Sequence, residues 1–167
     1  MADSGVTSEF QFKSFKVDRF VFTSKPKFNL LARLEGFRPE EWDVKFRFRN
    51  PMYFQKLKAY VGGLDVLVSI PDPDKGHEGI EDPVGAALVS LDTGIGGVFT
   101  VSDRFEKNTE DTLAKVQIPA LLLPYLRGTI TSFLANAGFG TLIFPLINIH
   151  AAAANALKDT EVEIIED

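Results

Sequence analysis

The first half of the chain alternates apolar and polar residues with the period of β-strands. Across residues 9–23 the large apolar residues come in pairs at a spacing of two. The pairs are Phe10 and Phe12, Phe15 and Val17, and Phe20 and Phe22. The phase slips between successive pairs, so the pattern predicts one long edge strand interrupted by β-bulges.

The next strand signal lies at Asp43–Arg49. Val44, Phe46 and Phe48 alternate there with Lys45, Arg47 and Arg49. This pattern predicts a half-buried strand with its rings on one face and its charges on the other.

Further strands are predicted in Gln55–Ile70, Ala86–Leu91 and Val98–Val101. The glycines at 94, 96 and 97, between the last two, indicate a bulge, a sharp twist or close approach by another backbone.

The second half changes to a helical period. Apolar residues recur every three or four positions from Ile118 to Leu134, which predicts a helix with Pro119 in its first turn and Gly138 just past its end. Asn148 is a good N-cap for a second helix running to about Lys158. Residues 159–167 carry five acidic side chains and no basic one, which predicts a frayed tail.

Composition narrows the functional classes. The 167 residues suit a single domain, with an ordered core at about 10–158. The absence of cysteine excludes disulfides and thiol chemistry, and a net charge of −5 argues against nucleic acid as main partner. No basic or apolar leader is visible at the start, so we expect a cytoplasmic protein. The fifteen phenylalanines exceed what a small core usually needs, which favours an aromatic surface for a partner.

One stretch has the length of a membrane span. Residues 128–157 contain no Asp, Glu, Lys or Arg. Gly138, Gly140 and Pro145 interrupt any helix there, and polar residues lie within it, so two buried helices fit better than a span.

Candidate chemistry is sparse. No nucleophile elbow, phosphate loop or dinucleotide fingerprint occurs, and neither His77 nor His150 has an obvious nucleophile beside it, so we expect neither catalysis nor a cofactor. Asp72 and Asp74, followed by further acids, resemble a calcium loop, but the glycine is misplaced and a solvated loop is favoured. The basic comb at 45–49 could suit RNA, yet its rings and charges lie on opposite faces.

The strongest motif is the segment Ile-Pro-Ala-Leu-Leu-Leu-Pro-Tyr-Leu-Arg-Gly-Thr-Ile-Thr-Ser at 118–132, preceded by Gly-Val-Phe-Thr-Val at 97–101. It resembles the SecB export-chaperone family, in which such a strand leads to a helix with a Leu-Phe-Pro-Tyr-Ala-Arg-like segment. Residues 138–149 extend the resemblance, and 10–46 follow it more loosely around Trp42.

The resemblance implies an α+β subunit with a four-stranded antiparallel sheet and two C-terminal helices, assembled as a homotetramer. It implies a holdase that binds unfolded polypeptides in apolar grooves and passes them to the SecA motor. The family positions of the groove correspond here to Trp42, Phe99, Phe139, Leu142 and Phe144.

The family's acidic motor contacts correspond to Asp18 and Asp92, whereas Thr23 and Ser90 depart from the pattern. A SecB-like chaperone dedicated to one client, such as an antitoxin, is therefore the main alternative. A structural or adaptor protein that kept the fold without the grooves is the contrasting class.

Overall fold

A computed structural model describes residues 10–35, 42–74, 83–101, 106–140 and 142–166. This part of the chain folds into five strands and four helices. In chain order they are β1 (Phe10–Ser24), α1 (Pro26–Glu35), β2 (Asp43–Phe54), β3 (Ala59–Pro71), α2 (Pro83–Ala86), β4 (Ala87–Val101), α3 (Lys107–Asn136), α4 (Ile149–Leu157) and β5 (Glu163–Ile165).

All five strands belong to one sheet with the order β1-β4-β3-β2-β5. The first four are antiparallel to their neighbours, but β5 pairs with β2 in parallel. The α+β class and the two C-terminal helices are thus as predicted. The prediction of four antiparallel strands is wrong, because the chain end adds a fifth.

The edge strand β1 has the predicted bulges. Its register against β4 shifts between Phe12 and Ser14 and again between Val17 and Arg19. Each shift inserts one residue, which restores the apolar side chains to the same face of the sheet. The changes of phase in the sequence pattern therefore coincide with the bulges.

Strand β2 alternates as predicted and continues past Asn50-Pro51. Its register against β3 shifts between Arg49 and Met52, so the proline marks a bulge and the strand goes on to Phe54. Likewise, β4 is one strand and not two, since its glycines approach neighbouring side chains without breaking the pairing.

One face of the sheet packs against α3 to form the main core. Strands β3 and β4 contribute alternate residues to it, and α3 contributes a stripe at helical spacing. The largest of these fully buried side chains are Tyr60, Phe99, Leu64, Leu91, Ile95, Ile118, Leu122, Leu126, Ile130 and Leu134.

Helix α3 begins eleven residues earlier than Ile118, at Lys107, so the predicted start is wrong. The early turns contain few large apolar residues, and a buried side chain from the sheet holds them. Tyr60 Oη donates to Asp111 Oδ1 at 2.7 Å and accepts from Lys107 Nζ at 2.6 Å. Burial, reinforced by the hydrogen bond to Asp111, raises the pKa of Tyr60 above its usual value.

Pro119 and Pro124 therefore lie inside α3. Each lacks the N–H that an interior helical position normally donates, so the packing of the helix on the sheet must outweigh two missing hydrogen bonds. Within the described residues α3 is the one helix long and apolar enough to cross a membrane by length and composition, a test that a core helix also passes.

The ends of both C-terminal helices follow the predicted capping. Gly138 takes a φ of 86° just past α3, and Phe139 N donates to Leu134 O at 2.9 Å. Asn148 caps α4 by accepting from Ala151 N at 3.1 Å. Between these caps, residues 142–148 form neither helix nor strand, and part of this segment lies beside the start of β2.

The predicted frayed tail is wrong. Val162 is 9% exposed and packs into the main core, and Glu163–Ile165 forms β5. The acidic composition hid a short alternation of aliphatic and acidic residues, which is the pattern of a strand with one buried face.

Candidate functional site

An open apolar cleft lies where the irregular segment after α3 passes the start of β2. It has a volume of about 550 Å³ and is lined by Trp42, Asp43, Val44, Ile143, Phe144, Pro145 and Leu146. Ile143 is 76% exposed and Leu146 is 98% exposed, whereas Trp42 and Phe144 are half-buried. Two aromatic rings thus form the inner wall, and two aliphatic side chains stand in solvent at the rim.

Arg127 of α3 contacts the segment after α3 that forms one wall of this cleft. Its guanidinium carbon lies 5.7 Å from the centre of the Phe144 ring, and its Nη2 donates to Pro145 O at 3.3 Å. The contact holds Phe144 by a cation–π interaction and holds the backbone beside it.

Phe139 continues the aromatic surface behind Trp42. The two rings meet edge to face with centroids 6.5 Å apart. Phe139 also packs on Phe22 and Phe28, each with a centroid distance of 5.3 Å. Phe28 is buried in a second, smaller hydrophobic core beneath α1, and the half-buried Phe22 packs against that core. Phe139 therefore connects the cleft to this smaller core.

The five residues that the sequence suggested for a groove divide into two groups. Trp42, Phe139 and Phe144 lie together and are half-buried. Phe99 is 0% exposed and Leu142 is 4% exposed, so both contribute to the core in this conformation. The sequence analysis missed Ile143 and Leu146, because nothing in the local pattern distinguishes them from the buried aliphatic residues of the same apolar stretch.

A second aromatic surface lies between β1 and α3. The ring centroids of Phe15 and Tyr125 are 4.4 Å apart, and those of Phe20 and Phe133 are 4.8 Å apart. Phe15, Val17, Phe20 and Tyr125 are each between 38% and 43% exposed. This surface lies beside an edge where, among the described residues, β1 pairs only with β4.

The sheet face opposite α3 carries a network of ion pairs. Arg49 of β2 reaches across β3 and β4 and donates from Nη1 and Nη2 to both carboxylate oxygens of Asp18, at 2.6 and 2.8 Å. Arg49 Nε also donates to Asp65 Oδ1 at 3.0 Å, and Arg47 Nε donates to Asp65 Oδ2 at 3.1 Å. We call these four residues the charge ladder. Next to it, Arg19 pairs with Asp92.

The ladder keeps its acids ionised. Hydrogen bonds from Arg49 hold the pKa of Asp18 below its usual value. Burial alone would raise the pKa of Asp65, but hydrogen bonds from Arg49 and Arg47 outweigh it and the pKa is lowered. Both residues suggested as acidic motor contacts, Asp18 and Asp92, therefore lie on this face with basic partners already in place.

Glycines make room for the ladder. A Cβ on Gly94 would lie 2.5 Å from Asp65 Oδ1 and 3.0 Å from Asp18 Oδ1 and would overlap Arg49 Nη2. A Cβ on Gly96 would lie 2.9 Å from Asp18 Oδ2. Gly94 and Gly96 are thus explained by the close approach of side chains, whereas the sequence suggested approach by another backbone.

The described residues contain no acidic or histidine cluster that could hold a metal ion. Asp72 and Asp74 both contact Lys27 Nζ, as in an ordinary surface ion pair. The rest of that acidic loop, with His77, lies outside the described residues.

Comparison with known proteins identifies the relatives of this arrangement. The model of the family described as preprotein translocase subunit SecB matches residues 85–159. The fold is similar to that of a SecB-like chaperone from Mycobacterium tuberculosis, solved in complex with a ChAD peptide from the HigA1 antitoxin. That match has a TM-score of 0.58 and 11% identity, and it covers 83% of this chain and 91% of that one.

A protein of unknown function from Streptococcus agalactiae also matches, with a TM-score of 0.39 and 10% identity, over 83% of this chain and 97% of that one. The search of curated protein sequences returned no match. The family match over residues 85–159 and the similar fold confirm the resemblance to SecB-like proteins that the sequence suggested.

Proposed function

We propose that this SecB-like protein is a holdase chaperone that binds extended apolar segments of unfolded polypeptides. The fold and the family match support a chaperone role. Non-directional apolar contact suits such a role, because clients differ in sequence and share only the exposure of apolar side chains.

The observation that carries the proposal is the cleft at the start of β2. Its rim side chains Ile143 and Leu146 are 76% and 98% exposed, and the aromatic rings of Trp42 and Phe144 lie next to them. A cluster of apolar side chains on a surface is typical of a binding site, whereas scattered single ones are not.

The size of the cleft suits weak, exchangeable binding. Burying one large aliphatic or aromatic side chain contributes about 1.5–3 kcal/mol, so three client side chains would contribute about 5–9 kcal/mol. Association and ordering of the client offset part of that gain. Tight retention would therefore need several clefts acting together, which is available to an oligomer.

We propose a homo-oligomer, with the tetramer of the family resemblance as the expected form. The half-exposed rings of Phe15, Phe20 and Tyr125 along the β1 edge support this, since an unpaired apolar edge strand is a common site of self-association. Light scattering that gave the 18.5 kDa monomer at micromolar concentration would contradict it.

Two destinations for a bound client are open to a cytoplasmic SecB-like holdase: delivery to SecA for export, or protection of one particular client. The ion pairs that Asp18 and Asp92 make with Arg49 and Arg19 favour the second. A basic surface on a motor would have to compete with those arginines for both carboxylates.

The experiment compares two leucine variants in a client-binding assay. Leu146→Asp places a charge at the cleft rim, and Leu30→Asp places one at a leucine of α1 that is also exposed. We expect Leu146→Asp to weaken binding of an unfolded client by about tenfold, which corresponds to about 1.4 kcal/mol. The Leu30→Asp control should bind as the wild type does.

Aggregation of a denatured protein, followed by light scattering, gives a second measurement. Leu146→Asp should suppress aggregation less well than the wild type at the same concentration. If neither leucine variant changes binding or suppression, the cleft is not the client site. If the wild type itself does not suppress aggregation, the holdase proposal is wrong.

A further inference from the structure

The C-terminal strand β5 occupies the edge of the sheet that β2 would otherwise expose. Its residues Glu163, Ile164 and Ile165 pair in parallel with Met52, Tyr53 and Phe54 of β2. Beyond them, Gln55 N donates to Ile165 O at 3.2 Å. The last residues of the chain thus bind the sheet in the way an extended peptide adds to a strand edge.

The segment is anchored before the strand begins. Asn50 Nδ2 donates to Glu161 O at 2.5 Å, and Thr160 Oγ1 lies 3.0 Å from Asn50 Oδ1. Lys115 Nζ donates to Thr160 O, and Val162 is buried in the main core. These contacts tether the chain up to Val162 and do not involve the strand itself.

The strand is held much less firmly than its anchor. Glu163 is exposed and Ile164 is 51% exposed, so only Ile165 is partly buried. A three-residue strand whose side chains mostly face water depends on its backbone hydrogen bonds, and another backbone can replace those one for one. Local opening is expected in such a segment because few apolar contacts resist it.

Three lysines lie near this edge, one of which, Lys107, also pairs with Asp111 at 3.0 Å. Lys107 Nζ lies 3.3 Å from the centre of the Tyr53 ring, and the turn after Phe54 carries Lys56 and Lys58. The resident segment is acidic in return: Glu161 and Glu163 flank Val162, and Glu166 follows Ile164 and Ile165. The edge therefore matches an extended segment that combines aliphatic and acidic residues.

We propose that the Met52–Phe54 edge of β2 is a second polypeptide-binding site, and that β5 is a resident strand which must leave before a client segment adds there. The inference rests on the proposed holdase function. The client segment takes the same parallel register, pairs its backbone with β2 and places its acidic side chains near the lysines. Because β5 competes for the same edge, client segments that combine aliphatic and acidic residues as β5 does should bind better there than purely apolar segments.

A reversible lock tests this in the full chain. The protein has no cysteine, so Met52→Cys with Glu163→Cys introduces one possible disulfide between register partners. Neighbouring strands lie about 4.8 Å apart, within the Cα separation that a disulfide spans. The probe is α-lactalbumin that has been reduced and carboxymethylated, which stays unfolded and cannot exchange thiols.

We expect the oxidised double variant to bind this probe about tenfold more weakly than the same protein after reduction, because the lock removes the open state of the edge. Equal binding in both states would overturn the strand-edge site while leaving the holdase proposal intact. Absence of binding in both states, with the wild type also inactive, would instead contradict the holdase proposal.

A pair of proline variants provides the opposite perturbation. Ile165 O accepts from Gln55 N, so by the alternation of a parallel ladder the Ile165 N–H also faces β2 and that of Ile164 faces away. Ile165→Pro should loosen β5 and strengthen probe binding, whereas Ile164→Pro should have much less effect. Faster amide hydrogen exchange in β5 of Ile165→Pro, without tighter probe binding, would also overturn the proposal.

Discussion

Gly94→Ala tests whether the charge ladder occupies the space that the glycines of β4 leave. A Cβ at this position would overlap Arg49 Nη2 and lie 2.5 Å from Asp65 Oδ1. The neighbours are side-chain ends and not backbone, so the sheet need not deform. We expect Arg49 to be expelled from its position between Asp18 and Asp65 while the pairing of β4 persists.

The magnitude follows from the burial of the two acids. Asp65 is 6% exposed, and losing hydrogen bonds to a buried charged group costs about 1.5–3 kcal/mol. Asp18 has a side chain 42% exposed, so its share is the surface value of about 0–1 kcal/mol. Replacing glycine within a strand returns about 0.5–1 kcal/mol. The net effect on the free energy of unfolding is a loss of about 2 kcal/mol.

Urea unfolding followed by circular dichroism measures this change, and Gly128→Ala is the matched control. Gly128 lies in α3, and a Cβ added there would meet no atom within 4 Å, so the same substitution should stabilise the protein by about 1 kcal/mol. In an Arg49→Met background Gly94→Ala should cost much less, since the overlapping group is gone. If Gly94→Ala stabilises the protein as Gly128→Ala does, the ladder does not lie over β4.

Three further outcomes are expected. Phe144→Asp should leave the protein folded and weaken client binding, whereas Phe99→Asp should unfold it, because Phe99 is fully buried; circular dichroism beside a binding assay separates the two. The stabilisation from the charge ladder should be lost in acid, because the pKa values of Asp18 and Asp65 are lowered in the folded state. Their contribution to stability is complete above the unfolded pKa of about 3.9, and it is lost as the pH falls through the folded pKa values. Unfolding midpoints between pH 5 and pH 2 would show this, and Arg49→Met should flatten the dependence. Binding to SecA should be weak and salt-sensitive, and Asp92→Lys should reduce it without changing client binding; tight binding that ignores this substitution would contradict the acidic mapping.

Local patterns predicted β1 and the first part of β2 well, because such patterns record which face of the sheet each residue occupies. The slipped pairs of β1 reported its two bulges, and the alternation at Val44–Arg49 reported a strand with one charged face. The start of α3 could not be found in the same way. Residues 107–117 are helical because Tyr60 from β3, some fifty residues earlier in sequence, meets Asp111 and Lys107, and no local pattern encodes that contact.

The sequence predicted which region of the chain forms the candidate site, but not which residues of that region line it. The family resemblance pointed to the segment around Phe139–Phe144, and that segment does border the cleft. The resemblance could not distinguish the buried Phe99 from the half-buried Phe144. The excess of phenylalanine indicates how much aromatic surface the chain has, but not which rings α3 covers. The two most exposed residues of the cleft, Ile143 and Leu146, were missed because exposure depends on where Pro145 directs the chain.

The acidic positions show why charge read from a sequence is a poor guide to a partner. Asp18 and Asp92 carry the negative charge that a basic motor surface would bind. However, Arg49 crosses β3 and β4 to reach Asp18, and Arg19 pairs with Asp92. A basic partner must therefore break hydrogen bonds before it makes any, and displacing Arg49 also removes a partner from the buried Asp65. A client that enters the apolar cleft displaces only water. On this chain the two interactions differ in cost as well as in place, so client holding is expected to persist when docking to a motor is lost.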